Sequence, residues 1–164
     1  MTDIGAVHHT GLTVRNLDAS VAFYRDLLGC SVIMQQDKSG GYLAEIVGAP
    51  GASVRMAHLY DPAGRHVIEL FEYVVPNVIH VPLEPWRLGN AHLCFVVADL
   101  DAVHARLVAA GVVMVSSPIL IDTGANAGGK GLYLRDPDGI TLELFQPAPG
   151  TAAHDLLALS ANPA

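Results

Sequence analysis

Two histidines and two glutamates occupy matching places in an internal repeat of this chain. The segment HTGLTVRNLDA, which starts at His9, aligns without a gap on HLCFVVADLDA, which starts at His92. Further along, DPAG…IELF contains Glu69, and the matching DPDG…LELF contains Glu143. Imidazole nitrogens and carboxylate oxygens are ligands of zinc, nickel, cobalt, manganese and iron in proteins. The repeat therefore predicts one divalent metal ion per site, bound by His9, Glu69, His92 and Glu143.

Strand alternation indicates how these side chains are presented. Successive residues of a strand face opposite sides, so Glu143 faces away from its neighbours Leu142 and Leu144. A carboxylate in such an apolar strand is costly to bury unless it is paired or bound to a metal. For the His and Glu of each half to meet, the first and last strands of that half must be neighbours. The two halves must then face each other around a shared cavity.

The remaining histidines have no histidine at the matching place of the repeat, and we expect them to be structural or solvated. The same alternation places His8 on the opposite face from His9. The others in this group are His58, His66, His80, His104 and His154.

Each half has the same predicted order of elements, namely a strand, a helix and three further strands. The predicted strands are residues 7–14, 31–36, 53–60 and 66–73 in the first half, and 93–97, 112–115, 131–135 and 140–146 in the second. Helices are predicted over 17–28 and 100–108, with Asn16 or Asp18 and Asp99 or Asp101 as caps and Gly29 and Gly111 at their ends. Residues 42–47 favour a short helix over a strand.

The fold class predicted from this order is α+β, with two paired βαβββ modules forming an open mixed β-barrel around a metal site. The first module covers residues 1–75 and the second 90–147. A linker with three prolines covers 76–89, and a tail covers 148–164, in which residues 153–159 favour a helix.

Composition narrows the class of partner. The net charge is -7 and the nine Lys and Arg residues are scattered, which excludes a nucleic-acid partner. No apolar stretch reaches the length that spans a bilayer and the start of the chain has no signal-like pattern, so we expect a soluble, cytoplasmic protein without a membrane partner. A hydrophobic fraction of 51% predicts a tightly packed core.

We expect no disulfide, and we expect Cys94 to be a small buried hydrophobe.

These motifs resemble the vicinal oxygen chelate (VOC) superfamily, which includes glyoxalase I, methylmalonyl-CoA epimerase, extradiol dioxygenases, fosfomycin-modifying enzymes and bleomycin-resistance binding proteins. The resemblance covers roughly residues 7–147 and rests on HHTGLTVRNLDASVAFYRDLLG, HVIELFEY, AHLCFVVADLDA and GLYLRDPDGITLELFQP. It implies paired modules in an open barrel, with the metal ligands at His9, Glu69, His92 and Glu143. It also implies a homodimer, in which the site lies within one chain or is shared between two.

The resemblance implies a reaction class through its ligand set. Four ligands suit the lyase and isomerase or epimerase branch, either glyoxalase I-like or methylmalonyl-CoA epimerase-like. In that branch the metal stabilises an enediolate of a small molecule with adjacent oxygens, while Glu69 or Glu143 moves a proton as general base. Glutathione-using glyoxalases carry Arg and Asn where this chain has Thr13 and Tyr73, which argues against a glutathione substrate.

Two other functions remain open at this point. Iron(II) ring-cleaving dioxygenases use two His and one carboxylate, and Tyr133 falls where they carry a catalytic tyrosine, but Glu69 would occupy one of their open positions. A drug- or metabolite-binding protein of the bleomycin-resistance type is the third possibility, although such proteins typically lose the ligand residues. Lys130, in a glycine-rich loop, is a candidate to steer a substrate carboxylate or phosphate, and Tyr133 is the second candidate for substrate binding.

Overall fold

The computed structural model describes residues 4–77 and 79–151. The first half begins with a strand and a helix whose last turn is widened into a π-helix, Phe23–Leu27. Its strands are β1 (His9–Thr13), β2 (Ser31–Ser39), β3 (Ser53–Tyr60) and β4 (Val67–Val75), and its helices are α1 (Leu17–Ala22) and α2 (Gly41–Ile46). The short helix predicted over 42–47 is confirmed as α2.

The second half repeats the first. Its elements are β5 (Leu93–Val96), α3 (Leu100–Ala109), β6 (Ile119–Leu120), β7 (Lys130–Arg135) and β8 (Thr141–Gln146). The strand order is β1-β4-β3-β2 in the first sheet and β5-β8-β7-β6 in the second. In both sheets the first strand runs parallel to the last and lies beside it, whereas the other pairs are antiparallel. The predicted α+β class and the predicted adjacency of first and last strands are confirmed.

The duplication extends to the polar contacts that start the helices. Asn16 caps α1 and Asp99 caps α3, each through a side-chain oxygen that accepts a backbone N–H three residues later. The first N–H of each helix donates to a side chain of the last strand of its module, at 2.7 Å to Glu72 and 2.8 Å to Gln146. Each helix start is thus tied to the strand that carries the predicted metal ligand.

The apolar neighbours of the two glutamates are among the most buried side chains of the sheets. Glu69 lies between Ile68 and Leu70, and Glu143 between Leu142 and Leu144; all four of these apolar residues are at most 2% exposed. Because neighbours in a strand face opposite sides, the two glutamates lie on the face away from α1 and α3. Burying each such aliphatic side chain stabilises the module by about 1.5–3 kcal/mol, and this fixes the orientation of the glutamates.

The outer strand of the second sheet differs from the prediction. The strand predicted over 112–115 is reduced to an isolated bridge between Met114 and Leu134, and the short strand β6 pairs with the start of β7 instead. Pro118 lies between these two segments and has no N–H to donate to a neighbouring strand, which accounts for the interruption.

The cysteine predictions have mixed outcomes. Both Cys30 and Cys94 are free thiols, as expected. The prediction of a buried Cys94 is wrong, because this residue lies on the edge strand β5 and is exposed.

The chain divides into two compact units, Met1–Val81 and Pro82–Ala164, and the division falls inside the segment predicted as a linker. The helical stretch predicted over 153–159, together with His154, lies outside the described residues. Among the described residues, no helix is long and apolar enough to cross a membrane.

Candidate metal-binding half-sites

The first half-site is built by the parallel pairing of β1 and β4. In this register Gly11 lies opposite Glu69, and His9 lies two residues before Gly11 on the same face of the sheet. The imidazole Nε2 of His9 is 3.1 Å from Oε2 of Glu69. Glu69 is only 8% exposed, whereas the His9 side chain is 39% exposed. The first predicted His–Glu pair is therefore formed, with the carboxylate buried and the imidazole open to one side.

The second half-site has the same construction on β5 and β8. Cys94 lies opposite Glu143, and His92 precedes Cys94 by two residues. The Nε2 atom of His92 is 3.0 Å from Oε2 of Glu143. The Glu143 side chain is 25% exposed, more than twice the 11% of the Glu69 side chain. The repeat thus places both predicted pairs by the same register, but it leaves the second carboxylate more accessible.

The donor atoms fit a divalent metal ion. Two ligands that share one ion at about 2.1 Å lie roughly 3.0 to 3.4 Å apart, and both His–Glu pairs have this separation. Across residues 4–77 and 79–151, no group of three or more His, Cys, Asp or Glu is arranged to hold an ion. Each half-site therefore supplies two donors.

Two histidines predicted to be structural or solvated, His8 and His58, contact the first half-site. His58 on β3 is the antiparallel partner of Glu69, and its Nε2 lies 2.6 Å from Oε1, the carboxylate oxygen that does not face His9. The Nδ1 atoms of His8 and His9 are 2.8 Å apart and share a hydrogen bond. The antiparallel register of β3 and β4 would have predicted the contact of His58 with Glu69, because the two residues lie opposite each other in this hairpin.

Tyr133 occupies the place in the second module that His58 occupies in the first, as the antiparallel partner of Glu143. Its ring packs against His92, with ring centroids 5.1 Å apart and the planes inclined by 44°. Desolvation raises the pKa of Tyr133, and the charge of Glu143 adds to the shift. The phenol therefore stays protonated at neutral pH and forms one side of the half-site.

The Cys94 thiol also borders this half-site. Although the residue is exposed at the sheet edge, desolvation raises the pKa of the thiol to about 12, and the negative charge of Glu143 adds to the effect. The thiol is thus uncharged at neutral pH and is a poor nucleophile.

A packed apolar cluster adjoins the first half-site on the same face of the sheet. Phe71 follows Glu69 by two residues on β4, and its antiparallel partner is Met56. Both belong to a cluster with Leu43 of α2 and Met34 of β2.

Lys130 lies away from the second half-site. It is the first residue of β7, three positions before Tyr133, and so it faces the opposite side of the sheet. Its Nζ contacts a carboxylate oxygen of Asp101 on α3 at 2.5 Å. The structure thus brings together five of the six predicted site residues in two groups and leaves Lys130 outside them.

We predict that Lys130→Met leaves metal affinity unchanged and lowers the free energy of unfolding by at most about 1 kcal/mol, because its ion pair with Asp101 is largely exposed. Urea unfolding and a manganese(II) titration of the variant test this. A clear loss of metal affinity would contradict the placement of Lys130 outside the site.

Two βαβββ modules, each with its first strand parallel to its last, are the arrangement of the VOC fold. The chain belongs to the Glyoxalase/Bleomycin resistance protein/Dioxygenase superfamily, which it matches over residues 6–144. The resemblance noted from its motifs is thereby confirmed.

Curated relatives have different activities. A 2-epi-5-epi-valiolone epimerase from Actinomyces sp is 33% identical over 145 residues, covering 85% of this chain and 78% of that protein. A catechol-2,3-dioxygenase from Bacillus subtilis is 28% identical over 155 residues, covering 91% of this chain and 45% of the dioxygenase.

Solved structures show the same fold. A glyoxalase family protein from Bacillus cereus superposes with a TM-score of 0.77 at 22% identity, covering 90% of this chain and 99% of that one. The fosfomycin resistance protein FosX from Listeria monocytogenes, in complex with manganese(II) and sulfate, gives a TM-score of 0.58 at 20% identity, with coverage of 93% and 98%.

Proposed function

We propose that this protein is a divalent-metal-dependent enzyme of the lyase or isomerase/epimerase type, acting on a small molecule with adjacent oxygens. The observation that carries the proposal is the duplicated His–Glu pair, in which the two Nε2–Oε2 distances are 3.1 and 3.0 Å. Both pairs keep the full donor set, which favours an enzyme over a binding protein. The epimerase relative supports the isomerase/epimerase branch, because epimerisation at a carbon atom beside a carbonyl requires removal and return of a proton.

In this proposal His9, Glu69, His92 and Glu143 hold one divalent ion, through two half-sites of one chain or of two chains in a homodimer. When bound, the ion supplies the Lewis acidity that makes a proton beside a substrate carbonyl removable. The manganese(II) bound by FosX makes manganese the first ion to test here, with zinc, nickel, cobalt and iron as the others.

We assign the role of general base to Glu143. Glu69 has an imidazole on each carboxylate oxygen, from His9 and His58, and is the more buried of the two glutamates. Glu143 has one imidazole partner, His92, and its side chain is more exposed. A base must move towards and away from its substrate proton, and the more exposed carboxylate, with a single imidazole partner, moves at the lower cost.

The first test is metal analysis of untagged protein purified without oxygen, followed by proton exchange in deuterium oxide. The first probe substrate is 2-epi-5-epi-valiolone, which is named by the epimerase relative. We expect one ion per four-ligand site and deuterium incorporation that stops on chelation and returns with manganese(II). Protein that binds no ion after reconstitution would refute the proposal and leave a metal-free binding protein.

A second candidate is an iron(II) ring-cleaving dioxygenase. It is favoured by Tyr133, whose phenol is protonated and packs against His92, and by the dioxygenase relative. Oxygen consumption with catechols by the iron(II)-loaded protein, without deuterium exchange, would favour this candidate over the first.

A further inference from the structure

The two half-sites share their ligands but differ in the residues behind them. His8 precedes His9, whereas Ala91 precedes His92 at the matching place. His58 faces Glu69 across the hairpin, whereas Tyr133 faces Glu143. Hence the first half-site has two extra imidazoles in contact with its ligands, and the second has neither.

We propose that His58 and His8 are positioning residues that make the first half-site the permanent anchor of the metal ion. This inference rests on the proposed metal-dependent function and assigns different roles to the two half-sites. His58 holds the orientation of Glu69, and His8 holds the orientation of His9. The second half-site, without these contacts, is the part of the site that can rearrange.

The geometry of the carboxylate supports the role of His58. Its Nε2 lies 2.6 Å from Oε1 of Glu69, so that Oε2 remains on the side of His9. Hydrogen bonding of one carboxylate oxygen by an N–H group restricts rotation of the carboxylate and directs the other oxygen at the ion. His58 also lies in a continuous stretch of the β3–β4 pairing, which fixes the position of its backbone relative to Glu69.

The ring nitrogens explain the role of His8. For His9 to bind an ion through Nε2, that nitrogen must have a free lone pair, so the ring proton lies on Nδ1. The Nδ1 atom of His8 lies 2.8 Å from this nitrogen and is placed to accept its proton in a hydrogen bond. A ligand histidine whose second nitrogen donates in this way is held in both tautomer and ring orientation. Ala91 offers no side-chain acceptor to His92.

The experiment exchanges the supporting residues of the first half-site for those of the second. His58→Tyr and His8→Ala introduce the residue types found at the matching places, and His58→Gln keeps an N–H donor near the position of Nε2. The control is His66→Gln, which alters a histidine of the same module that contacts Thr10 beside His9 at 2.8 Å. Manganese(II) affinity is measured by titration calorimetry, and the cobalt(II)-loaded proteins give visible absorption spectra. Thermal melting without metal tests whether each variant folds.

We expect His58→Tyr to weaken manganese(II) binding about 10- to 100-fold and to change the cobalt(II) spectrum. We expect His8→Ala to weaken it in the same direction, His58→Gln to restore most of the affinity, and His66→Gln to match the native protein. Native affinity in His58→Tyr would overturn the inference while leaving the metal-dependent function intact. An equal loss in His66→Gln would overturn it as well, since any change near β1 would then have the same effect. Failure of the native protein to bind manganese(II) or cobalt(II) would instead refute the proposed function.

Discussion

Glu143→Gln is expected to abolish substrate proton exchange while the metal ion stays bound. The amide keeps an oxygen that faces His92 and the ion, but it has no basic lone pair for the substrate proton. Loss of a general base typically lowers kcat by about 10²- to 10⁴-fold. Since the first half-site retains both of its ligands, we expect metal affinity to fall far less than the rate does.

Deuterium incorporation from the solvent, measured by mass spectrometry on the manganese(II)-loaded variant, separates these two effects. Glu45→Gln is the matched control, because Glu45 is an exposed carboxylate on α2. The reciprocal variant, Glu69→Gln, decides the assignment. If that variant kept its ion and lost exchange while Glu143→Gln remained active, the base would be Glu69.

The two His–Glu contacts could be predicted from the sequence because the repeat and the strand period determine the placement of these side chains. His9 and His92 each precede by two residues the position that lies opposite a glutamate in the parallel pairing. An even offset keeps both side chains on one face. Apolar neighbours on either side of each glutamate direct it away from the helix-packed core. Residue types and spacing are therefore sufficient to predict these two pairs.

His58 and Lys130 show where this reasoning falls short. His58 has no histidine at the matching place of the repeat, where Tyr133 stands instead. Its contact with Glu69 depends on the antiparallel register of the β3–β4 hairpin, whose turn contains Gly64. Lys130 was grouped with Tyr133, yet an odd offset along one strand places them on opposite faces. The sequence predicts a loop at Lys130, whereas β7 already begins there.

Glu69→Ala is expected to remove tight metal binding altogether. The substitution deletes one ligand, and it also removes the carboxylate that His9 and His58 share at 3.1 and 2.6 Å. His58 then has no carboxylate to position and His9 loses its neighbouring ligand, so the first half-site loses a donor atom and the contact that supports it. A supporting contact alone is typically worth about 10- to 100-fold in affinity, and loss of the ligand itself should exceed that range.

The loss of metal affinity in Glu69→Ala is to be compared with the loss in Glu143→Ala. Glu143→Ala removes the corresponding ligand from a half-site whose carboxylate has a single imidazole partner, so its loss of affinity should be the smaller of the two. Manganese(II) titrations of both variants, with Glu45→Ala as control and circular dichroism to check folding, measure the difference directly. Equal losses would mean that both half-sites hold the ion alike, and a larger loss in Glu143→Ala would reverse the roles assigned to them. We expect the larger loss of manganese(II) affinity in Glu69→Ala because the Glu69 carboxylate is the more buried and has two imidazole partners.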